Sequence, residues 1–303
     1  MVTSGTPPHY NAKMSDRIFR FAPSPNGQLH LGHAFSALVT YDMAREAGGR
    51  FLLRIEDIDT ARCLPEHEVQ MLDDLAWLGL EWEMPVRRQS EHFDTYRASL
   101  AKLGEMGLLY PCFASRREIA AHALPGLTDP DGAPLYPGLD KGLSREDIAR
   151  RKQSGDPFAL RLDMEKALAM ARDMSADALT FQETSRGMDR IETIPVEPRR
   201  WGDTVIARKG VPTSYHLSVV VDDALQGITH VTRGRDLYAA TDIHRLLQVL
   251  LGLPQPLYHH HPLLRDSDGR KLSKSHRDRS LKSLRDSGAT PRDIRKLVFA
   301  DVD

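Results

Sequence analysis

Residues 17–55 set two strand-like runs on either side of a helical one, and that order leaves few folds open to the chain. Residues 17–22 alternate like a strand and lead into a Pro/Asn/Gly loop. Residues 31–47 then carry apolar side chains at helical spacing and stop at Gly48-Gly49. Residues 50–55 read as a second strand. Strand, helix and parallel strand make a right-handed crossover, the opening unit of a doubly wound sheet of the nucleotide-binding kind.

The rest of the chain continues that plan with one interruption. Helical spacing predicts helices over 66–79 and 91–107, with Trp77 and Trp82 as core residues because their neighbours keep apolar helical spacing. Residues 125–142 are rich in Pro, Gly and Asp and read as loop, and 144–200 are charged, with strand signals only at 158–162. Beyond them come a strand at 205–208, a dense apolar run at 214–225 and a strand at 227–232. A helix at 237–251 is then closed by Gly252 and Pro254. The expected organisation is a disordered start (1–16), the first half of an α/β domain (17–115), an α+β connective insertion (116–202), the second half (203–262), and a loop with a short helical tail (263–303).

Net charge is −1 over 303 residues, so no global attraction to polyanions is encoded. Locally, residues 262–296 hold eleven Lys/Arg against five Asp/Glu, a basic stretch that a pair of solvated helices would also explain. The only cysteines, Cys63 and Cys112, are too few for a disulfide framework and suit a reducing, cytoplasmic setting. No apolar run approaches the length of a membrane span, and residues 1–16 lack the apolar segment of a secretory signal.

Two short stretches about 240 residues apart carry the chemistry. The first is Arg20-Phe21-Ala22-Pro23-Ser24-Pro25-Asn26-Gly27-Gln28-Leu29-His30-Leu31-Gly32-His33. A helix begins there, so its unpaired N–H groups and dipole favour an anion. Gly27 and Gly32 let the backbone approach a ligand closely, and His30 and His33 can donate hydrogen bonds to phosphate oxygens. A metalloprotease helix would need His-Glu-x-x-His, which this spacing does not provide. The second stretch, Lys271-Leu272-Ser273-Lys274-Ser275, follows the turn signal Asp268-Gly269. A mobile lysine pair can neutralise charge as pyrophosphate departs; a generic basic surface loop is the plainer alternative. His259-His260-His261 sit on a strand, where neighbours face opposite ways, and read as structural or nucleotide-adjacent rather than as a metal site.

Taken together, the two stretches resemble the ATP signatures of class I aminoacyl-tRNA synthetases. With Arg54-Ile55-Glu56-Asp57-Ile58-Asp59-Thr60, Ser214-Tyr215-His216-Leu217, Val219-Val220-Val221-Asp222-Asp223 and Gly227-Ile228-Thr229-His230-Val231-Thr232-Arg233-Gly234, the chain resembles the catalytic core of glutamyl-tRNA synthetases. The resemblance implies a class I, Rossmann-like α/β fold and ATP with Mg²⁺ as co-substrate. It assigns His30, His33 and Lys274 to catalysis, with Gly27, Gly32, Lys271 and Ser273 also at the ATP. Arg20, Phe21, Ala22, Pro23 and Ser24 are assigned to glutamate, Glu56 to its α-amino group, and Tyr215 and Arg233 to its grip from the second half. Physics agrees for Arg233 and Arg20, since a planar guanidinium reads a γ-carboxylate with two hydrogen bonds.

Only 28 residues follow Ser275, whereas a full glutamyl-tRNA synthetase continues into a long helical anticodon-binding portion. The resemblance therefore narrows to the truncated glutamyl-Q tRNA(Asp) synthetases. These activate glutamate without tRNA and transfer it to the cyclopentenediol of queuosine in the anticodon loop of tRNA(Asp). The expected partners are L-glutamate, ATP and tRNA(Asp) bearing queuosine, with no membrane and no obligate protein partner; the basic tail and the insertion are the candidate RNA contacts. Two other readings share these residues: a truncated glutamyl-tRNA synthetase charging a tRNA 3′ end, and a non-catalytic regulatory paralogue. Members of the family often hold zinc in the insertion through Cys-x-Cys, a Tyr and a further Cys. Here Cys112 and Tyr136 stand at matching positions, while Ala114 and Asp140 replace two thiolates, so zinc is expected to be absent.

Overall fold

The first strand, β1 (Ile18–Phe21), lies in the middle of the main sheet and pairs in parallel with β2 (Arg50–Ile55), Phe19 opposite Phe51. Helix α1 (Leu31–Glu46) crosses between them and is buried along most of its length. The return to β2 depends on Gly49. A Cβ there would stand 2.6 Å from the Arg17 carbonyl oxygen, the oxygen that accepts the Arg50 N–H at 2.8 Å. This computed structural model describes residues 16–175, 178–264 and 279–300.

Helices α2 (Pro65–Trp77) and α3 (Phe93–Glu105) fall where helical spacing places them, but a strand, β3 (Glu83–Arg88), separates them and extends the sheet beside β2. Its sequence, Glu-Met-Pro-Val-Arg-Arg, has no apolar alternation, so only pairing reveals it. Trp77 and Trp82 are half-buried and pack on the edge of the core rather than inside it.

Strand β4 (Leu109–Cys112) leaves the main sheet and pairs antiparallel with β5 (Ala159–Leu162), which pairs with β8 (Val205–Ala207). Around this small sheet lie α4 (Arg116–His122), α5 (Arg145–Gln153) and α6 (Met164–Met174). The hairpin β6 (Thr180–Thr184) and β7 (Ile191–Pro195) instead joins the main sheet. Sheet membership thus departs from an insertion over 116–202: β4 and β8 flank that span yet share β5's sheet, and β6 and β7 lie within it yet pair outward. The hairpin's polar sequence hides it, because its register comes from β10 (Leu257–His261) and not from an apolar face.

Helix α7 (Tyr215–Leu225) precedes β9 (His230–Gly234), and α8 (Thr241–Leu251) connects β9 to β10. The seven-stranded order is β3-β2-β1-β9-β10-β6-β7, parallel except for the β6–β7 hairpin. Chain order runs outward from β1 through β2 to β3 on one side and from β9 to β10 on the other, where the earlier β6–β7 hairpin closes the edge. That reversal opens a crevice at the carboxyl ends of β1 and β9, the usual ligand position of an open α/β sheet.

The tail forms α9 (Leu281–Asp286) and α10 (Pro291–Phe299), which pack into the same core as α1. Ile294 and Val298, one turn apart, are both fully buried, and Arg295 holds Asp42 of α1 through two hydrogen bonds of 2.7 and 3.0 Å. Part of the tail's basic character is therefore used in docking it. Among the described residues no helix is long and apolar enough to cross a membrane.

Candidate functional site

At the crevice lies a cavity of about 450 Å³, lined from β1 and its loop, the start of α1, the end of β2, α7, and the end of β9. Arg20, Phe21, Ala22, Pro23 and Ser24 form one wall. The Glu56 N–H donates to the Pro23 carbonyl at 3.0 Å, tying that wall to the end of β2. Glu56, Tyr215, Arg233, His30, Gly32 and His33 complete the set brought together. Gly27 lies at the bend before the helix and is not among the lining residues. Lys271, Ser273 and Lys274 lie outside the described residues.

The Arg20 wall rests on buried charge. Arg20 donates side-on to Asp223 of α7, Nε to Oδ1 at 3.0 Å and Nη2 to Oδ2 at 3.4 Å, and through Nη1 to the Thr232 carbonyl. Arg54, wholly buried on β2, meets the same carboxylate at 2.7 Å and reaches Glu56 at 3.2 Å. The adjacent Asp222 takes hydrogen bonds from Arg87, Gln89 and Tyr96 at 2.7–2.8 Å. Burial raises the Asp223 carboxyl, but Arg20 and Arg54 outweigh it and hold the group below its usual range. Glu56 goes the other way: burial lifts it above the usual range, against Arg54 and then Arg20. Among the described residues Arg20, which lines the cavity, keeps one uncommitted N–H on each terminal nitrogen.

Arg233 is held quite differently. Its Nε donates to His260 Nε2 at 3.0 Å, Nη1 to Tyr215 Oη at 3.3 Å and His244 Nδ1 at 3.0 Å, and Nη2 to Thr241 Oγ1 at 2.7 Å. His260 Nδ1 lies 2.7 Å from Glu183 Oε2, which places its proton on Nδ1 and leaves Nε2 to accept. Burial keeps both His260 and His244 neutral, far below the ordinary imidazole range. Four of the five guanidinium N–H groups are thus committed. The two-pronged grip expected of Arg233 needs a partner to yield: among the described residues one of its N–H groups is uncommitted, against two on Arg20.

At the start of α1, two histidines cap the helix reciprocally: Gly32 N–H donates to His30 Nδ1 at 3.0 Å, and His30 N–H donates to His33 Nδ1 at 3.2 Å. With Nδ1 accepting, each neutral ring carries its proton on Nε2 and acts as a donor there. A Cβ on residue 32 would meet His30 Cε1 at 2.9 Å, so glycine is what admits the imidazole. The rings sit with centroids 3.9 Å apart at the cavity edge.

The Cys112, Tyr136 and Asp140 cluster is a hydrogen-bonded clasp. Asp140 Oδ2 accepts the N–H groups of Phe113 at 3.1 Å and Ala114 at 3.0 Å and the Tyr136 hydroxyl at 3.2 Å. A carboxylate oxygen committed to two amides and a phenol, beside a single thiol, is a poor zinc donor set. Among the described residues no group of three or more His, Cys, Asp or Glu converges as metal ligands.

The sequence alone left Asp222, Asp223, Arg54, His244, Thr241 and Glu183 without roles, and gave His260 only a structural or nucleotide-adjacent one. The acids were marked by their position inside an apolar helical run, and Arg54 by its place between Leu53 and Ile55. His244 and Thr241 carry no comparable mark.

Comparison with known proteins gives a consistent picture. The family model for the catalytic domain of class I tRNA synthetases (E and Q) matches residues 18–299. The glutamyl-Q tRNA(Asp) synthetase of Rhodobacter capsulatus is 51% identical over 284 residues, 93% of this chain and 99% of that protein. The glutamate–tRNA ligase of Aquifex aeolicus is 38% identical over 92% of this chain, which spans only 55% of the ligase. The crystal structure of a glutamate-tRNA synthetase from Elizabethkingia anophelis superposes with a TM-score of 0.71 at 24% identity. It covers 93% of this chain, which spans 61% of that one, and it speaks for the fold alone.

Proposed function

Because this chain belongs to the class I tRNA synthetases of the glutamate and glutamine branch, a ligase-type, ATP-using family, we propose that it activates L-glutamate and transfers it to queuosine in the anticodon loop of tRNA(Asp). In the first step the α-carboxylate of glutamate attacks the α-phosphorus of ATP, and pyrophosphate leaves with Mg²⁺. In the second, a cyclopentenediol hydroxyl of queuosine attacks the carbonyl carbon, AMP departs and the hydroxyl proton is released. Activation needs no tRNA in this reading.

The observation that carries the activation step is the opposition of cations and neutral donors around one cavity. Arg20's two uncommitted N–H groups and the remaining Arg233 N–H face the side chain of glutamate, and the Glu56 carboxyl faces its ammonium group. His30 and His33 present Nε2–H donors toward the α-phosphate, stabilising charge on phosphorus without transferring a proton. Lys271, Ser273 and Lys274 are proposed to close over the triphosphate, Lys274 taking charge on the departing pyrophosphate. The choice of queuosine over a tRNA 3′ end is supported by the near-complete alignment with the Rhodobacter relative. The Cys112, Tyr136 and Asp140 clasp is read as metal-free.

The deciding experiment supplies ATP and labelled glutamate with matched tRNA pools that contain or lack queuosine. Label only in the queuosine-containing pool, within an anticodon-loop fragment, is expected. Label at the 3′ end in both pools would make the enzyme a minimal glutamyl-tRNA synthetase, and no pyrophosphate exchange at all would leave only a regulatory paralogue.

A further inference from the structure

A second cleft, of about 750 Å³, opens between the turn after Glu56, the start of α4 and the end of β8. Its charged lining is Arg62, Arg116, Arg161, Arg208 and Lys209 against one carboxylate, Asp59. Asp59 pairs with Arg62 at 2.6 Å and Arg208 at 3.1 Å. Lys209 donates to the Phe113 carbonyl at 2.7 Å and Arg161 to the Asp203 carbonyl at 2.6 Å. Carbonyl oxygens orient these cations without cancelling their charge. Arg116, exposed on α4, makes no ion pair among the described residues. The nearby Glu118 is engaged in capping the Ser115 N–H at 2.7 Å. Among the described residues, five cations over one acid leave a formal charge of +4 in a cleft of about 750 Å³, against about 450 Å³ for the first cavity.

Both walls of this cleft are close in sequence to residues of that cavity. Asp59 follows Glu56 by three residues, and Arg208 precedes Tyr215 by seven. Among the described residues no aromatic side chain lines the cleft, and its charged lining is suited to phosphate binding. We infer that this cleft seats the phosphodiester backbone of the RNA loop whose acceptor nucleotide enters the glutamate cavity. The inference rests on the RNA-directed reading above and adds to it the place where the strand is held. It moves the principal RNA contact away from the basic tail, whose Arg295 is tied to Asp42.

The test uses the full-length protein, its Arg116→Glu and Lys209→Gln variants, and Arg97→Glu as a control that lines neither cavity. Binding of a queuosine-bearing anticodon stem-loop of tRNA(Asp) is measured by fluorescence anisotropy across a KCl series, alongside RNA-free pyrophosphate exchange. Each cleft variant is expected to bind about fivefold or more weakly, with the slope of log K against log salt reduced by about one. Exchange should be unchanged, and the control should bind as the unaltered enzyme does. Wild-type affinity and slope in both cleft variants, with the unaltered enzyme still glutamylating the loop, would overturn the cleft alone. An unaltered enzyme that exchanges pyrophosphate but neither binds nor labels the loop would sink the functional reading on which the cleft depends.

Discussion

Arg20 and Arg233 meet across one cavity under opposite electrical conditions. Arg20 belongs to a balanced set in which Arg20, Arg54 and Arg87 interlock with Asp222, Asp223 and Glu56. Among the described residues Arg233 touches no carboxylate: its partners are two neutral imidazoles, a phenol and an alcohol, and Glu183 is reached through His260. A buried cation ringed by neutral acceptors keeps its field for an incoming anion, whereas one locked to a carboxylate is mainly scaffold. The pocket therefore separates position from attraction. Arg20 supplies a fixed fork, and Arg233 supplies uncompensated charge.

The sharpest way to break this contrast is Asp223→Asn. It leaves Arg20 and Arg54 short of a shared counter-charge in the interior and should cost about 3–5 kcal/mol of stability by urea unfolding. A loss below about 1 kcal/mol would mean that the network is not what holds the sheet to α7. Next is Arg233→Lys, which keeps the charge but loses the planar contacts. The KM for glutamate in pyrophosphate exchange should rise about 100-fold with a smaller change in kcat, and an unchanged KM would remove Arg233 from the site.

Acidification separates the two sides. Burial holds His216, His230 and His261 down to about 4, against an ordinary value of 6.5. The unfolded chain takes up these protons first, so their contribution is complete above pH 6.5 and is lost as pH falls from there toward 4, by up to about 3 kcal/mol for each group. Asp223, depressed in the folded state, contributes fully above its unfolded value of 3.8 and loses that contribution only as pH falls further. Urea midpoints against pH should show the two declines in that order; a flat profile between 6.5 and 4 would contradict the burial of these three histidines as neutral groups. A smaller effect is expected from His260→Leu, which deletes one acceptor behind Arg233 and should raise the KM for glutamate about tenfold with kcat nearly unchanged. The smallest concerns Cys112, Tyr136 and Asp140: EDTA should move the melting temperature by less than about 1 °C, and a drop of several degrees would reveal a structural metal.

The same contrast marks how far the sequence could be read. His30, Gly32, His33 and Arg20 share one short segment whose strand, loop and helix signals coincide, so their convergence follows from local order. The partners of Arg233 are dispersed: His244 stands 11 residues away in an apolar helix and His260 27 residues away on a strand. Which of three consecutive histidines faces inward is settled by the register of β10 on β9, where His260 lies opposite Arg233. Strands β3, β6 and β7 were hidden because polar edge strands take their identity from a neighbour.

Asp223 also sets a timetable. It joins Arg20 across 203 residues of chain, so a ribosome adding about 5–20 residues per second leaves the first arginine waiting roughly 10–40 s for its acid. Until α7 emerges, Arg20 lacks the one carboxylate it pairs with among the described residues, and Arg54 has only Glu56. The cavity between Arg20 and Arg233 is therefore completed only once α7 and β9 have been made.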